Sequence, residues 1–209
     1  MKVNFDASYN GDDYSSVSGI IIRNSGGFIM AASTYPNSHV VNSDLAEAIA
    51  CDQTLILLKD LGFDRAIMEG DSLIVISKLC SPFTDHSVLS VPLGNILRRT
   101  NHFSLLKFLH VKREGNKTTH LLARAGRTYF EPRIWIEEAP PEVELAASQD
   151  RWWVDNLVLY FSLSSFGVFQ IFVSASDKVF PPFSPILQSS RLLQYTIKEV
   201  SSGLADLVF

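Results

Sequence analysis

The chain has 209 residues, of which 46% are hydrophobic and 19% are charged, enough for one core of ordinary domain size with some chain left over. Its formal net charge is −4, so overall composition gives no argument for a polyanionic partner. The cysteines, Cys51 and Cys80, lie far apart in the sequence and lack the spacing of metal ligands. We therefore expect no disulfide framework and a reducing compartment inside the cell, the nucleus or cytoplasm.

The charges are distributed unevenly along the chain. Acids outnumber bases over residues 1–97, whereas Glu114 is the only acid between Arg98 and Arg127. A cationic run of this kind indicates either a polyanion-binding face or, more commonly, a solvated surface. Charge alone does not decide between the two.

The first part of the chain has the pattern of consecutive strands. Alternating apolar and polar residues predict a strand over Lys2–Ser8, and the residues from Asn10 to Asp13 form a turn. Branched residues predict a second strand over Ser18–Asn24. A glycine turn then leads to a third strand, Phe28–Thr34. We expect these strands to be antiparallel.

After the third strand the pattern becomes helical. Asn42 or Ser43 is a suitable N-cap for a helix over Asp44–Leu61, and Gly62 follows its end. The next segments are predicted as strand, helix, loop, helix, strand and helix, in the order Arg65–Glu69, Ser72–Leu79, Pro82–Ser87, Pro92–Thr100, Leu105–Lys112 and Thr118–Gly126. This order predicts an α/β fold whose five-stranded mixed sheet has three antiparallel strands, then parallel crossovers, with flanking helices.

The composition changes twice after this domain, which is predicted to span residues 1–128. Residues 129–153 contain three prolines and a cluster of acids, and predict an extended tail. Residues 154–209 predict a poorly ordered hydrophobic extension. Its stretch Leu157–Ala175 approaches the roughly 20 residues of a membrane helix, but serine, glycine and glutamine dilute it, so a membrane helix is the less favoured alternative and no firm membrane partner is expected. The strand that starts at Lys2 suggests a piece of a longer protein.

Three acids occupy unusual positions in these elements. Asp6 lies within the first strand, Glu47 lies one turn into the long helix, and Asp71 ends the fourth strand, at the edge where α/β sheets place their sites. Each acid alone is more often a cap or a partner of a helix dipole. Their joint occurrence in this order of elements favours a shared carboxylate site.

Short motifs give the sequence a family resemblance. These are Lys2–Ser8 (KVNFDAS), Leu45–Ala48 (LAEA), Glu69–Ser72 (EGDS), Arg113–Lys117 (REGNK) and Leu122–Arg124 (LAR). In this order they resemble the motifs of type 1 ribonuclease H (RNase H) domains. The likeness is nearest to the plant reverse-transcriptase-like group, which is related to non-LTR retroelements. It covers residues 2 to about 128.

The resemblance implies an RNase H-like fold and a site for two Mg²⁺ ions, with Mn²⁺ as an alternative. Asp6, Glu47 and Asp71 match the family's metal ligands, and such a site hydrolyses the RNA strand of RNA–DNA hybrids endonucleolytically, leaving a 5′-phosphate and a 3′-hydroxyl. Hard Mg²⁺ ions prefer oxygen ligands, and a pair of them can activate water and stabilise a leaving oxygen. The cations also neutralise the crowded carboxylates.

One residue departs from the family pattern. The fourth acid, two residues before Leu122, is replaced by His120. Imidazole is a poor Mg²⁺ ligand but could orient a water or move a proton near neutral pH. His120 is therefore either a catalytic residue that works less well than an acid or an ordinary residue of the helix surface.

The resemblance also implies a nucleic-acid surface, with RNA–DNA hybrid as the expected partner and a monomer as the expected state. Polar groups near the RNA strand would be Asn42, Ser43 and Asp44, and groups meeting phosphates would be Arg113, Asn116, Lys117 and Arg124. Two alternatives stay open. One is a catalytically weakened, retroelement-derived domain that only binds nucleic acid, and the other is a protein-interaction domain, against which the three acids argue.

Overall fold

The protein is described by a computed structural model that covers residues 1–81, 87–155, 157–163, 169–175 and 195–196. The chain divides into two units, Met1–Arg151 and Trp152–Phe209. The predicted loop Pro82–Ser87 lies almost wholly outside the described residues.

The first unit contains one mixed sheet of six strands, arranged in the order β5-β4-β1-β2-β3-β6. The strands are β1 Lys2–Asn10, β2 Ser15–Arg23, β3 Ile29–Asn37, β4 Arg65–Gly70, β5 Leu105–His110 and β6 Arg133–Ile136. Pairing is antiparallel along β1, β2, β3 and β6, and parallel between β1, β4 and β5. The predicted mixed sheet with an antiparallel meander and parallel crossovers is therefore confirmed, with six strands in place of five.

Five α-helices accompany the sheet in the described residues: α1 Ser43–Asp60, α2 Leu73–Leu79, α3 Ser90–Thr100, α4 Lys117–Ala125 and α5 Pro141–Asp155. Local chemistry explains where α1 begins and ends. The Asn42 side-chain oxygen accepts from Leu45 N at 2.8 Å, and Gly62, just after the helix, has a φ of 76° that favours glycine.

The two faces of the sheet are covered differently. On one face a large apolar core joins the sheet to α1, α2 and α3 and includes Phe5, Leu55 and Met68. On the other face a smaller cluster joins Ile21 of β2 to Leu122 of α4 and Val143 of α5. A layered arrangement of helices on both faces follows, as the alternation of strands and helices predicts.

Close approach of α4 to the sheet depends on a glycine in β2. A Cβ atom at Gly19 would lie 2.7 Å from Ala123 N and 2.9 Å from Thr119 O. No side chain fits at this position without moving the helix. Gly19 therefore fixes the depth at which α4, and with it His120, lies against the strands.

The predicted extended tail is wrong. Its segment contains β6, which pairs with β3, and most of α5. Val143 is fully buried and Ala147 is 4% exposed, so one side of α5 packs against the domain. Proline was one reason to predict an extended tail. However, Pro141 is the first residue of α5, where its missing N–H costs nothing. The predicted boundaries after residues 128 and 153 stay predictions.

In the second unit the structure describes an antiparallel sheet of β7 Leu157–Leu163, β8 Phe169–Ala175 and β9 Tyr195–Thr196. These strands were not predicted, and the rest of the extension that was expected to be poorly ordered lies outside the described residues. Within the described part of the chain, no helix combines the length and apolarity that crossing a membrane requires.

Candidate carboxylate site

The side chains of three acids from different parts of the first unit meet in one cluster. Asp6 of β1 is 1% exposed, Glu47 of α1 is 8% exposed, and Asp71 directly follows β4. One carboxylate oxygen from each lies within 4.8 Å of the others. The predicted convergence of these side chains is therefore found in the structure, although their role as metal ligands stays a prediction.

Close packing between β1 and β4 brings Asp71 next to Asp6. The strands run parallel, with Asn4 opposite Glu69. Gly70 follows, and a Cβ atom there would lie 2.5 Å from the Phe5 ring. Glycine at this position lets β4 lie close to Phe5, and the next residue, Asp71, then lies beside Asp6.

Backbone donors account for part of the carboxylate hydrogen bonding. Ala7 N donates to Asp6 Oδ1 at 2.9 Å and to Glu47 Oε1 at 3.1 Å. Glu47 Oε2 is buried and has no hydrogen-bond partner among the described residues. A buried carboxylate oxygen without a donor is costly unless a cation approaches it. The donor set, three carboxylates, suits a hard divalent cation.

Electrostatics point in the same direction. Burial raises the pKa of Glu47 well above its ordinary value, and the negative charges of Asp6 and Asp71 raise it further. Burial, then the charge of Asp6, also raises the pKa of Asp71, while Arg113 and His120 oppose the rise. The cluster is thus unfavourable as three free anions, and a bound cation would relieve the repulsion.

His120 belongs to this site and is not an ordinary residue of the helix surface. Its Nδ1 lies 2.7 Å from Asp6 Oδ2, and its side chain is 28% exposed. Arg113 lies beside His120 and Asp71, since its Nη2 lies 3.3 Å from His120 Nδ1 and its Nη1 lies 3.7 Å from Asp71 Oδ2. The sequence placed His120 at the fourth position of the motif but gave no sign that Arg113 contacts a carboxylate.

Most of the residues expected to bind nucleic acid lie near the cluster. Asn42, Ser43 and Asp44 are at the start of α1, one turn before Glu47. Arg113, Lys117 and Arg124 are exposed and, with His120, line an open depression of about 460 Å³.

The expectation that Asn116 meets a phosphate is corrected by the structure. Asn116 is 1% exposed, and its Nδ2 donates to Phe5 O at 2.9 Å. Its side chain therefore joins α4 to β1 next to Asp6. A motif could not reveal this, because burial depends on the whole fold.

Arg127 was missed by the sequence analysis. Its Nε donates to Ser8 Oγ at 2.8 Å and its Nη2 donates to Ser8 O at 3.0 Å. Ser8 is two residues beyond Asp6 on β1, so the positively charged Arg127 side chain lies near the carboxylates, in addition to Arg113. The dense cationic run was the available signal, but it did not distinguish Arg127 from its neighbours.

Comparison with solved structures identifies the fold. The chain is similar to RNase H1 from the halophilic archaeon Halobacterium salinarum NRC-1, with 22% identity, a TM-score of 0.57, and coverage of 61% of this chain and 96% of that one. It is also similar to the N-terminal RNase H domain of rv2228c from Mycobacterium tuberculosis, with 19% identity, a TM-score of 0.53, and coverage of 60% of this chain and 98% of that one. A third similar structure is LC11-RNase H1 in complex with RNA/DNA hybrid, with 18% identity, a TM-score of 0.54, and coverage of 59% of this chain and 94% of that one. The first unit therefore has an RNase H-like fold, as expected.

The family is shown by a sequence match. Residues 4–126 match the model of the reverse transcriptase-like family, and the chain belongs to that family. No curated protein matches the chain. The predicted plant and retroelement origin stays a prediction.

Proposed function

We propose that the first unit is a type 1 RNase H that hydrolyses the RNA strand of RNA–DNA hybrids endonucleolytically. The observation that carries the proposal is the convergence of Asp6, Glu47 and Asp71, with a buried Glu47 oxygen that has no hydrogen-bond partner among the described residues. Membership of the reverse transcriptase-like family supports a nucleic-acid substrate. The matching fold of LC11-RNase H1, solved with an RNA/DNA hybrid, supports this substrate class.

The proposed cofactor is a pair of Mg²⁺ ions, with Mn²⁺ as an alternative. Asp6, Glu47 and Asp71 would hold the ions through their carboxylate oxygens. When bound, such a pair activates a water and stabilises the leaving oxygen of the phosphodiester. Ala7 N restrains Asp6 and Glu47 together, so their oxygens are already oriented before any cation arrives.

The remaining residues would position the substrate. Lys117 and Arg124 present charges that can meet phosphates, in the same depression as Arg113 and His120. Asn42 uses its amide oxygen to cap α1, which leaves its amide N–H groups to donate to the RNA strand, together with the exposed Ser43. His120 holds Asp6 Oδ2 through Nδ1 and is proposed to orient a water or to move a proton near it.

A second candidate is a catalytically weakened domain that binds nucleic acid. The observation in its favour is the nitrogen ligand at the fourth position, where His120 contacts Asp6 at 2.7 Å. A neutral or positive imidazole attracts a second hard cation less than a carboxylate would. Such a domain would still bind nucleic acid through the same surface but would cleave it more slowly.

The test is cleavage of a labelled RNA–DNA hybrid by the full chain over a range of Mg²⁺ concentrations, with duplex RNA as the substrate control. We expect Asp6→Asn to lower the rate at least about a thousandfold, equivalent to about 4 kcal/mol of barrier, because it removes a charge that offsets the cations. Asp60→Asn is the matched control, since this exposed acid ends α1 away from the cluster.

Hybrid binding measured in parallel separates the two candidates. Cleavage by wild type and by Asp60→Asn, with loss in Asp6→Asn, supports the enzyme. Binding without cleavage supports the weakened domain. A protein that neither binds nor cleaves the hybrid would contradict both candidates.

We also propose that the protein acts as a monomer in the nucleus or cytoplasm. Sedimentation would test the monomer, and localisation of a tagged chain would test the compartment.

A further inference from the structure

The two sides of the carboxylate cluster differ in charge. On one side Glu47 Oε2 is buried without a partner among the described residues. On the other side Asp6 Oδ2 contacts His120 Nδ1 at 2.7 Å, and Asp71 Oδ2 faces Arg113 Nη1 at 3.7 Å. Arg113 Nη2 also lies 3.3 Å and 3.4 Å from the two ring nitrogens of His120. Among the described residues, Glu47 Oε2 therefore has no charged partner, whereas Asp6 and Asp71 already have His120 and Arg113 beside them.

The position of Arg113 lets it leave the cluster. Its side chain is 66% exposed, whereas that of Asp71 is 8% exposed. Arg113 also borders the open depression together with Lys117, Arg124 and the neighbouring Glu114. A guanidinium in this setting can turn from the carboxylate to a phosphate, to which it binds well. The same charge is thus available either to Asp71 or to a polyanion.

We infer that Arg113 limits the site to one tightly held divalent cation until nucleic acid is bound. This inference rests on the proposed function, because it assumes that Asp6, Glu47 and Asp71 hold divalent cations. Asp6, Glu47 and Asp71 hold the first ion, and Glu47 Oε2 is one of its ligands. A second ion on the His120 side meets the positive charge of Arg113 at short range and is repelled.

Nucleic acid would relieve this repulsion. A phosphate that draws Arg113 away from Asp71 removes a cation from the cluster and adds a negative charge close to it. Binding of the second ion is then coupled to binding of the substrate, as linked equilibria require. Arg113 acts through the carboxylates and is a positioning residue for the ions.

The inference can be tested without measuring turnover. Mn²⁺ is titrated into the full chain in the absence of nucleic acid, and the free ion is followed by electron paramagnetic resonance. Four proteins are compared: wild type, Arg113→Gln, Arg113→Lys and Arg124→Gln. Arg124 lies in the same depression and serves as the matched loss of charge. Thermal unfolding verifies that each variant is folded.

We expect wild type to bind one Mn²⁺ tightly and a second one weakly. Arg113→Gln should bind the second ion at least tenfold more tightly, which corresponds to about 1.4 kcal/mol. Arg113→Lys keeps the charge and should resemble wild type, as should Arg124→Gln.

Two ions bound with equal affinity by wild type would overturn the inference and leave the proposed function standing. The same holds if Arg113→Gln and Arg124→Gln give the same titration. A wild type that binds no Mn²⁺ would instead refute the metal-dependent function itself, and the inference with it.

Discussion

The two faces of the sheet carry different kinds of residue, although they share the same strands. Val3 and Phe5 of β1 point into the large apolar core, while Asn4 and Asp6, alternating with them, point to the other face. Asn4 donates to Glu69 and Asp6 contacts His120. One strand thus contributes in alternation to packing and to the charged site. Mutations in the apolar core should therefore change stability, whereas mutations in the charged cluster should change chemistry and cation binding.

The largest expected effect on stability lies on the apolar face. Leu55 is 1% exposed in the core, so Leu55→Ala should lower the free energy of unfolding by about 2–5 kcal/mol through lost burial and a cavity. Urea unfolding measures the loss. Leu73→Ala, at a leucine that is 59% exposed, is the control and should change little. Equal losses in the two variants would break the comparison.

The next effect concerns His120 on the site face. His120→Asp replaces a nitrogen by a hard oxygen ligand and adds a negative charge next to Asp6, so we expect turnover to rise about tenfold, or about 1.4 kcal/mol of barrier. Hybrid cleavage at several Mg²⁺ concentrations measures it. An active wild type with an unchanged or slower variant would contradict this account of the position. Inactivity of both, with hybrid still bound, would favour the weakened domain.

The smallest effect concerns Glu47 without metal. Burial and the charges of Asp6 and Asp71 raise the pKa of Glu47, so the folded state holds the proton more tightly than the unfolded state. Stability without a cation therefore falls as pH rises from the ordinary glutamate range through the raised pKa. Glu47→Gln removes this charge and should raise the metal-free stability at pH 7 by about 1 kcal/mol.

Melting temperatures in chelator and in Mg²⁺, at several pH values, test this prediction. Mg²⁺ should stabilise wild type more than Glu47→Gln, because the variant lacks the charge of one carboxylate ligand. Glu131→Gln, at an exposed residue just before β6, is a surface control. A variant that melts earlier than wild type in chelator would show that the Glu47 charge is compensated in some other way.

Local signals were sufficient for the first part of the fold. The alternation in β1 and the Asn42 cap of α1 are properties of neighbouring residues, and the structure contains both. The convergence of Asp6, Glu47 and Asp71 was predicted from short motifs on the expected elements. Short sequence patterns were therefore sufficient to predict these features.

The missed features depend on residues that are far apart in the sequence. The four residues of β6 pair with β3, where Ser33 Oγ donates to Arg133 O at 2.8 Å. Helix α5 is held by buried Val143 and by Asp150, which accepts from Thr118 Oγ1 at 2.6 Å. The segment's composition, with prolines and acids, indicated an extended chain, and only tertiary packing overrides that preference.

The anchoring of α5 has a consequence for where the folding unit ends. The family match stops at residue 126, yet the nearly buried Arg23 of β2 lies 3.5 Å from Asp150. A chain cut at the end of the match would leave that guanidinium without its carboxylate and would uncover Ile21, against which Val143 packs. The contacts that hold the sheet and its helices together therefore extend beyond the end of the family match, as far as Asp150.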